Sequence, residues 1–122
     1  MGAYQDELER AMLWLATKED TIFLGQGIEY GGIAISKTFE KISSEKKLEM
    51  PVAENLQLGI STGMALNGFV PVTIYPRWNF LILAADQLVN HLDKLPLMTN
   101  GSYKPKVIIR VACGVREPFL IS

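Results

Sequence analysis

The fold is decided by residues 51–68, which read PVAENLQLGISTGMALNG. Pro51 ends a short strand predicted over 48–50, and the residues that follow predict a helix from about 55 to 67, ending at Gly68. Glu54 places one carboxylate at this strand-to-helix junction, inside otherwise apolar sequence. A charged side chain in apolar sequence requires an explanation. Glu54 is either an acid that the dipole of the helix start stabilises, by about 0.3–1 kcal/mol, or a group with a chemical role.

Helical and strand patterns alternate on both sides of this stretch. The predicted elements are a helix over 4–18, a strand over 21–24, a helix around 37–42, a strand over 70–75, a helix over 80–95 and a strand over 107–111. Such alternation predicts an α/β fold with a three-layer, doubly wound, mainly parallel sheet. Ligands of these sheets gather at the carboxyl ends of the strands, where Glu54 and the loop 75–80 are expected to lie.

Composition limits the size of the protein and the class of partner. The 122 residues support one domain, spanning 1–122, because two separate cores would not fit. An apolar content of 48% and a mean hydropathy of +0.16 suit a domain whose surface is partly covered, so we expect an oligomer. Twelve basic and thirteen acidic residues give no electrostatic signature of a nucleic-acid partner or an anionic membrane.

Several classes of site are excluded by residue counts and motifs. One cysteine, Cys113, and one histidine, His91, allow neither an internal disulfide nor a structural zinc site. We expect Cys113 to be a strand-end or core thiol. The glycines at 25–32 match neither the dinucleotide nor the Walker phosphate pattern. With no export signal and no run of 18 apolar residues, we expect a cytoplasmic protein.

The order and spacing of residues after Glu54 resemble a known family. The positions that carry the resemblance are Glu54, Gly59, Gly63, Gly68, Pro71-Val72, Asn79-Phe80 and Ala85-Asp86-Gln87. They resemble the transketolase-like pyrimidine-binding domain of thiamine diphosphate enzymes. The resemblance is strongest to the beta subunit of the first component of 2-oxoacid dehydrogenases, as in pyruvate dehydrogenase, and extends more weakly over 4–114. It implies the same α/β fold.

The resemblance also implies roles for two residues. Glu54 corresponds to the family's acid, which hydrogen-bonds a ring nitrogen of the cofactor's aminopyrimidine and so promotes loss of the thiazolium proton. It would therefore be both catalytic and cofactor-binding. Phe80 corresponds to the aromatic residue that packs on the pyrimidine; without the resemblance, it would be interpreted as a core residue at a helix start. Tyr75 and Trp78 are candidates for the pocket wall, with a packing role as the alternative.

The chain lacks parts that a complete enzyme of this kind needs. No Gly-Asp-Gly motif of a diphosphate-binding domain occurs in it. The resemblance implies that this domain, with its Mg²⁺, belongs to an alpha-type partner subunit and that this chain holds no metal. The resembling beta subunits continue beyond the position of Gly114, so we expect a C-terminally truncated fragment, or alternatively a split subunit. We expect the isolated chain to be inactive.

Three functions stay open at this point. The first is the pyrimidine-binding part of a thiamine diphosphate-dependent 2-oxoacid dehydrogenase beta subunit. The second is the corresponding domain of a transketolase or deoxyxylulose phosphate synthase, and the third is a non-catalytic interaction module with the same fold. The helix faces around 59–63 and 81–92 exceed what one small sheet can cover, so we expect them to form a subunit interface.

Overall fold

A computed structural model describes residues 2–114 of the chain. Its sheet contains the strands β1 (Thr21–Gly25), β2 (Lys47–Glu49), β3 (Val70–Tyr75) and β4 (Ile108–Val111). Their order is β2-β1-β3-β4, and every pair is parallel. The predicted parallel α/β sheet is therefore confirmed, and the carboxyl ends of all four strands lie at one edge.

Helices cover both faces of this sheet. On one face, α1 (Ala3–Ala16) and a 3₁₀-helix (Ala34–Phe39) enclose a core that includes Met12, Phe23 and Phe39. On the other face, α2 (Glu54–Leu66) and α3 (Trp78–Ile82) pack against the sheet through Leu58 and Leu81. The central strands β1 and β3 are buried from both sides, which explains their nearly continuous apolar sequence.

The helix predicted around 37–42 is wrong in type and position, because the chain forms the 3₁₀-helix Ala34–Phe39 instead. Two of its hydroxyl groups bond to carbonyl oxygens three residues back, Ser36 to Ile33 and Thr38 to Ile35. Such local bonds compete with the regular α-helical pattern. A second short 3₁₀-helix, Ser44–Lys46, leads into β2.

The single helix predicted over 80–95 is also wrong. The chain forms α3, then a π-helix (Gln87–Leu92), then α4 (Leu95–Met98), with Pro96 in its first turn. The backbone N–H of Leu83 bonds to Phe80, three residues back, whereas that of Asp93 bonds to Leu88, five residues back. Apolar spacing does not distinguish these local changes of pitch from a regular helix.

The predictions for α2 and for Cys113 are confirmed. The helix predicted over 55–67 matches α2 to within one residue, and Gly68 follows it with a φ of 94°. Cys113 lies exposed just beyond β4, as a strand-end thiol, and His91 is exposed. Within the described part of the chain, no helix has the length and apolar character needed to cross a membrane. The expected truncation concerns positions after 114, outside the described residues.

Candidate functional site

Glu54 is the first residue of α2 and lies at the carboxyl edge of the sheet. It is only 8% exposed, although helix-start acids usually face solvent. None of the hydrogen bonds found among residues 2–114 uses its carboxylate. Its main-chain carbonyl accepts a hydrogen bond from the Tyr75 hydroxyl, 3.2 Å away, at the end of β3. The acid is thus buried and held in place through its backbone, while its carboxylate stays available as an acceptor.

A second polar contact joins α2 to β3 one turn later. The amide nitrogen Nε2 of Gln57 donates to Thr73 Oγ1 at 2.8 Å and to the carbonyl of Ile74 at 3.0 Å. Gln57 and Thr73 are fully buried. Together with the bond from Tyr75 to the Glu54 carbonyl, these contacts form what we call the α2–β3 clamp. It fixes the first turns of α2 against the carboxyl-terminal half of β3.

Tyr75 belongs to the core and not to the wall of a pocket. It is fully buried and packs with Leu58, Leu81 and Ala84. Burial raises the pKa of Tyr75 to about 12; a hydrogen bond with Thr73 opposes this rise, and the charge of Glu54 adds to it. The phenol therefore stays protonated at neutral pH and serves as a hydrogen-bond donor to α2.

Phe80 lies in α3, which begins shortly after β3 ends, so it also belongs to the carboxyl edge. Its ring is half-buried, and the Arg77 guanidinium lies over it with 5.9 Å between Cζ and the ring centroid. The start of α3 is tied to the end of β4 by the N–H of Trp78, which bonds to the Ala112 carbonyl at 3.1 Å. The indole of Trp78 is 53% exposed.

The structure places Glu54 and Phe80 at the same edge of the sheet. Each has its own contacts there: the Glu54 backbone bonds to Tyr75, and the Phe80 ring lies against Arg77. Among residues 2–114, no hydrogen bond or ring contact joins the two side chains directly. They flank the end of β3 and do not form a contact pair.

Sequence reasoning missed Gln57 and Glu49. The carboxylate of Glu49, at the end of β2, accepts the backbone N–H groups of Gly27 and Glu29, the latter at 2.9 Å, and so fixes the loop after β1. The signal for Gln57 was its position, a polar residue three places after Glu54 on the core-facing side of a helix. Its partners on β3 are 16 and 17 residues away in sequence, beyond the reach of pattern analysis.

The residues present fit one part of the cofactor that the resemblance implies. A buried carboxylate without a hydrogen bond among the described residues suits a ring nitrogen that shares a proton with it. The Glu54 carboxylate therefore fits the aminopyrimidine. Over residues 2–114, no group of three or more histidine, cysteine or acidic side chains is arranged to hold a metal ion.

A separate shallow cavity of about 240 Å³ lies beside the loop after β1. Its lining includes Glu29, Ser36, Glu40 and Lys47 and contains neither Glu54 nor Phe80. It is mainly a gap between this loop and the 3₁₀-helix. We do not assign the candidate site to it, because the residues with a chemical rationale lie elsewhere on the carboxyl edge.

Comparison with known proteins gives a consistent set of relatives. No protein-family model matches the chain. The chain is 31% identical over 114 residues to the pyruvate dehydrogenase E1 component subunit beta of Chaetosphaeridium globosum. This match covers 93% of the chain and 33% of that protein. It is 30% identical over 100 residues to the 3-methyl-2-oxobutanoate dehydrogenase subunit beta of Mycobacterium tuberculosis, covering 80% of this chain and 29% of that protein.

A third relative is the 2-oxoisovalerate dehydrogenase subunit beta of Bacillus subtilis, 23% identical over 116 residues, with 92% of this chain and 36% of that protein covered. The predicted resemblance to 2-oxoacid dehydrogenase beta subunits is thereby confirmed over most of the chain. The chain spans about a third of the length of these relatives.

Proposed function

We propose, from the chain's resemblance to the beta subunits of 2-oxoacid dehydrogenases, that it is the pyrimidine-binding part of such a thiamine diphosphate-dependent enzyme. The observation that carries the proposal is Glu54, an acid 8% exposed at the carboxyl edge of a parallel sheet. Parallel α/β sheets bind ligands at this edge. The acid lies where the resemblance expects the residue that contacts the aminopyrimidine.

In this proposal the chain's residues bind the aminopyrimidine of the cofactor, and one of them shares a proton with it. When bound, thiamine diphosphate supplies the nucleophilic carbon and the electron sink for the reaction. The Glu54 carboxylate shares a proton with the ring nitrogen of the aminopyrimidine, and α2 holds that carboxylate still. Phe80 packs on the aminopyrimidine ring, an arrangement that contributes about 0.5–1.5 kcal/mol beyond the buried area.

The proposal requires a partner. An alpha-type subunit would carry the diphosphate-binding domain and hold Mg²⁺, and the cofactor would lie between the two chains. Most charge-assisted contacts to the cofactor would then come from the partner, so the isolated chain should be inactive. Leu56 of α2, Ile82 of α3 and Leu83, which directly follows α3, are exposed apolar residues that suit a covered surface in such an oligomer.

Two alternative functions use the same fold. A transketolase-like or deoxyxylulose phosphate synthase-like domain would use the same acid on the same fold, but the relatives reported above are all 2-oxoacid dehydrogenase subunits. A non-catalytic module would keep the fold without using the Glu54 carboxylate. Substitution of Glu54 separates the module from both enzymes.

The test replaces Glu54 by Gln in the chain bound to an alpha-type subunit, ideally one encoded next to it. The Glu54→Gln variant keeps the size and polarity of the side chain but removes the ionisable group. Thiamine diphosphate with Mg²⁺ should still bind by calorimetry. Hydrogen–deuterium exchange at the thiazolium carbon should slow by ~10²–10⁴-fold, the usual contribution of a positioned proton donor or acceptor.

The matched control is Glu45→Gln. Glu45 is also an acid in the first turn of a helix, the 3₁₀-helix Ser44–Lys46, but it is exposed. Its replacement should leave both cofactor binding and exchange unchanged. If exchange in the Glu54→Gln variant equals that of the wild type, Glu54 is only a helix-start acid and the proposed function is wrong.

A further inference from the structure

We propose that Gln57 is a positioning residue for Glu54, an inference that rests on the proposed function. Gln57 lies three residues after Glu54, so both side chains leave α2 on the same face, one turn apart. Helical side chains lean toward the helix start, so the Gln57 amide lies over the turn that carries Glu54. Its two hydrogen bonds fix that turn against β3.

The orientation of this amide is determined by its partners. The Ile74 carbonyl can only accept a hydrogen bond, so the group 3.0 Å from it must be the amide nitrogen Nε2. The oxygen Oε1 is then buried with no hydrogen-bond partner among residues 2–114. A leucine or methionine would avoid the unpaired oxygen but would remove the donor to Thr73 Oγ1 and to the Ile74 carbonyl. What Gln57 adds over an apolar residue is therefore a directional attachment of α2 to β3, which is what the positioning of Glu54 needs.

The clamp restricts α2 at two points. Gln57 fixes one turn to Thr73 and Ile74, and the Tyr75 hydroxyl fixes the Glu54 carbonyl. Two attachments one turn apart oppose both sliding of the helix along β3 and rotation about its own axis. The remaining contacts are less directional, since apolar packing such as that of Leu58 tolerates small shifts.

The next polar residues of α2 make no such attachment. The Ser61 hydroxyl bonds to the Gln57 carbonyl at 2.8 Å and the Thr62 hydroxyl to the Leu58 carbonyl at 2.9 Å, both within α2 itself. In the described part of the chain, the side-chain hydrogen bonds between α2 and β3 are those of Gln57 and Tyr75. Thr62 is therefore a matched control, a buried residue on the same helix whose hydroxyl bonds within α2 and not to β3.

Proton transfer makes this positioning matter. A carboxylate acts on a ring nitrogen only within hydrogen-bond reach, about 2.6–3.2 Å. A displacement of about 1 Å is enough to lower the rate of a positioned step by roughly 10²-fold. Loss of the Gln57 bonds should therefore slow proton transfer at the bound cofactor more than it weakens cofactor binding, because most contacts to the cofactor would come from the partner subunit.

The experiment compares Gln57→Met, Tyr75→Phe and Thr62→Val with the wild type, each in the complex with the alpha-type subunit. At saturating thiamine diphosphate and Mg²⁺, exchange at the thiazolium carbon should fall by roughly 10- to 10²-fold for Gln57→Met and less for Tyr75→Phe. The dissociation constant of the cofactor, measured by calorimetry, should change by less than about 3-fold, and Thr62→Val should match the wild type in both measurements.

A second measurement tests the positioning of α2 without the cofactor and is made on the isolated chain. Backbone amide hydrogen exchange at 57–58, in the first turns of α2, should accelerate in Gln57→Met, while that at 63–66 should not. Wild-type thiazolium exchange in Gln57→Met would overturn the inference, as would equal slowing in Thr62→Val. A wild-type complex that does not bind thiamine diphosphate, or an active Glu54→Gln variant, would instead refute the proposed function itself.

Discussion

Alanine substitutions at Gly25 and Gly63 should change stability in opposite directions. Gly25 is the last residue of β1 and pairs with Ile74 of β3. A β-carbon added at Gly25 would lie 2.6 Å from the Ile74 carbonyl oxygen and 3.1 Å from the Ile74 β-carbon. Both atoms belong to a buried strand that cannot turn aside, so one of the central strands must shift.

The size of the effect follows from the neighbours. Overpacking a well-filled core lowers the free energy of unfolding by about 1–3 kcal/mol, and the short distance to a backbone atom places Gly25→Ala at about 2–3 kcal/mol. For a domain of this size, the melting temperature should fall by roughly 6–18 °C. At Gly63 in α2, an added β-carbon meets no atom within 4 Å. Gly63→Ala should therefore raise the free energy of unfolding by about 0.5–1 kcal/mol, the difference in helix propensity.

The assay is urea and thermal denaturation of the 122-residue chain, followed by circular dichroism at two protein concentrations so that association is separated from folding. An unchanged or raised midpoint for Gly25→Ala would show that β1 and β3 are not in close contact at this pair. Destabilisation of the dilute chain by Gly63→Ala would show a packed neighbour where the structure has open space. Either result refutes the reasoning.

Three further predictions concern the core, the cofactor and the assembly. Burial raises the pKa of Tyr75 to about 12, above the unfolded value of about 10. The contribution of the protonated phenol to stability is therefore complete below about pH 10 and is lost as the pH rises toward 12. Urea midpoints near pH 9 and pH 11 should show this loss in the wild type and less of it in Tyr75→Phe. Phe80→Leu should weaken thiamine diphosphate binding to the complex by about 2- to 13-fold by calorimetry, with no change if the ring is only a core residue. Light scattering should show an oligomer that Gly63→Lys or Leu83→Glu disrupts, and a monomeric wild type at high concentration would contradict the predicted interface.

Strong local signals made much of the fold predictable. Pro51 and Gly68 mark the ends of the segment that forms α2, and β3 is a continuous buried run in front of Pro76. The π-helix Gln87–Leu92 was not predictable, because its widened turn depends on where the backbone finds partners and not on apolar spacing. The same holds for the 3₁₀-helix Ala34–Phe39, whose hydroxyl groups bond locally to the backbone.

The candidate site was predictable in its position but not in its supporting contacts. A residue that follows a parallel strand and opens a helix must lie at the carboxyl edge, so the location of Glu54 follows from chain order. The contacts of Gln57 with Thr73 and Ile74 depend on how α2 is placed over β3, which involves the register of elements distant in sequence. Tyr75, considered for the pocket wall, proved to be a buried donor that holds the Glu54 backbone.

The polar residues at the carboxyl edge support the proposed enzyme component over a non-catalytic module. A module that only holds a partner needs the fold and exposed apolar residues such as Ile82 and Leu83. It has no use for a carboxylate that is 8% exposed and makes no hydrogen bond among residues 2–114. The oxygen Oε1 of Gln57 is buried without a partner in the same part of the chain, and such an atom costs about 1–3 kcal/mol. The positioning of Glu54 would explain why this cost is tolerated.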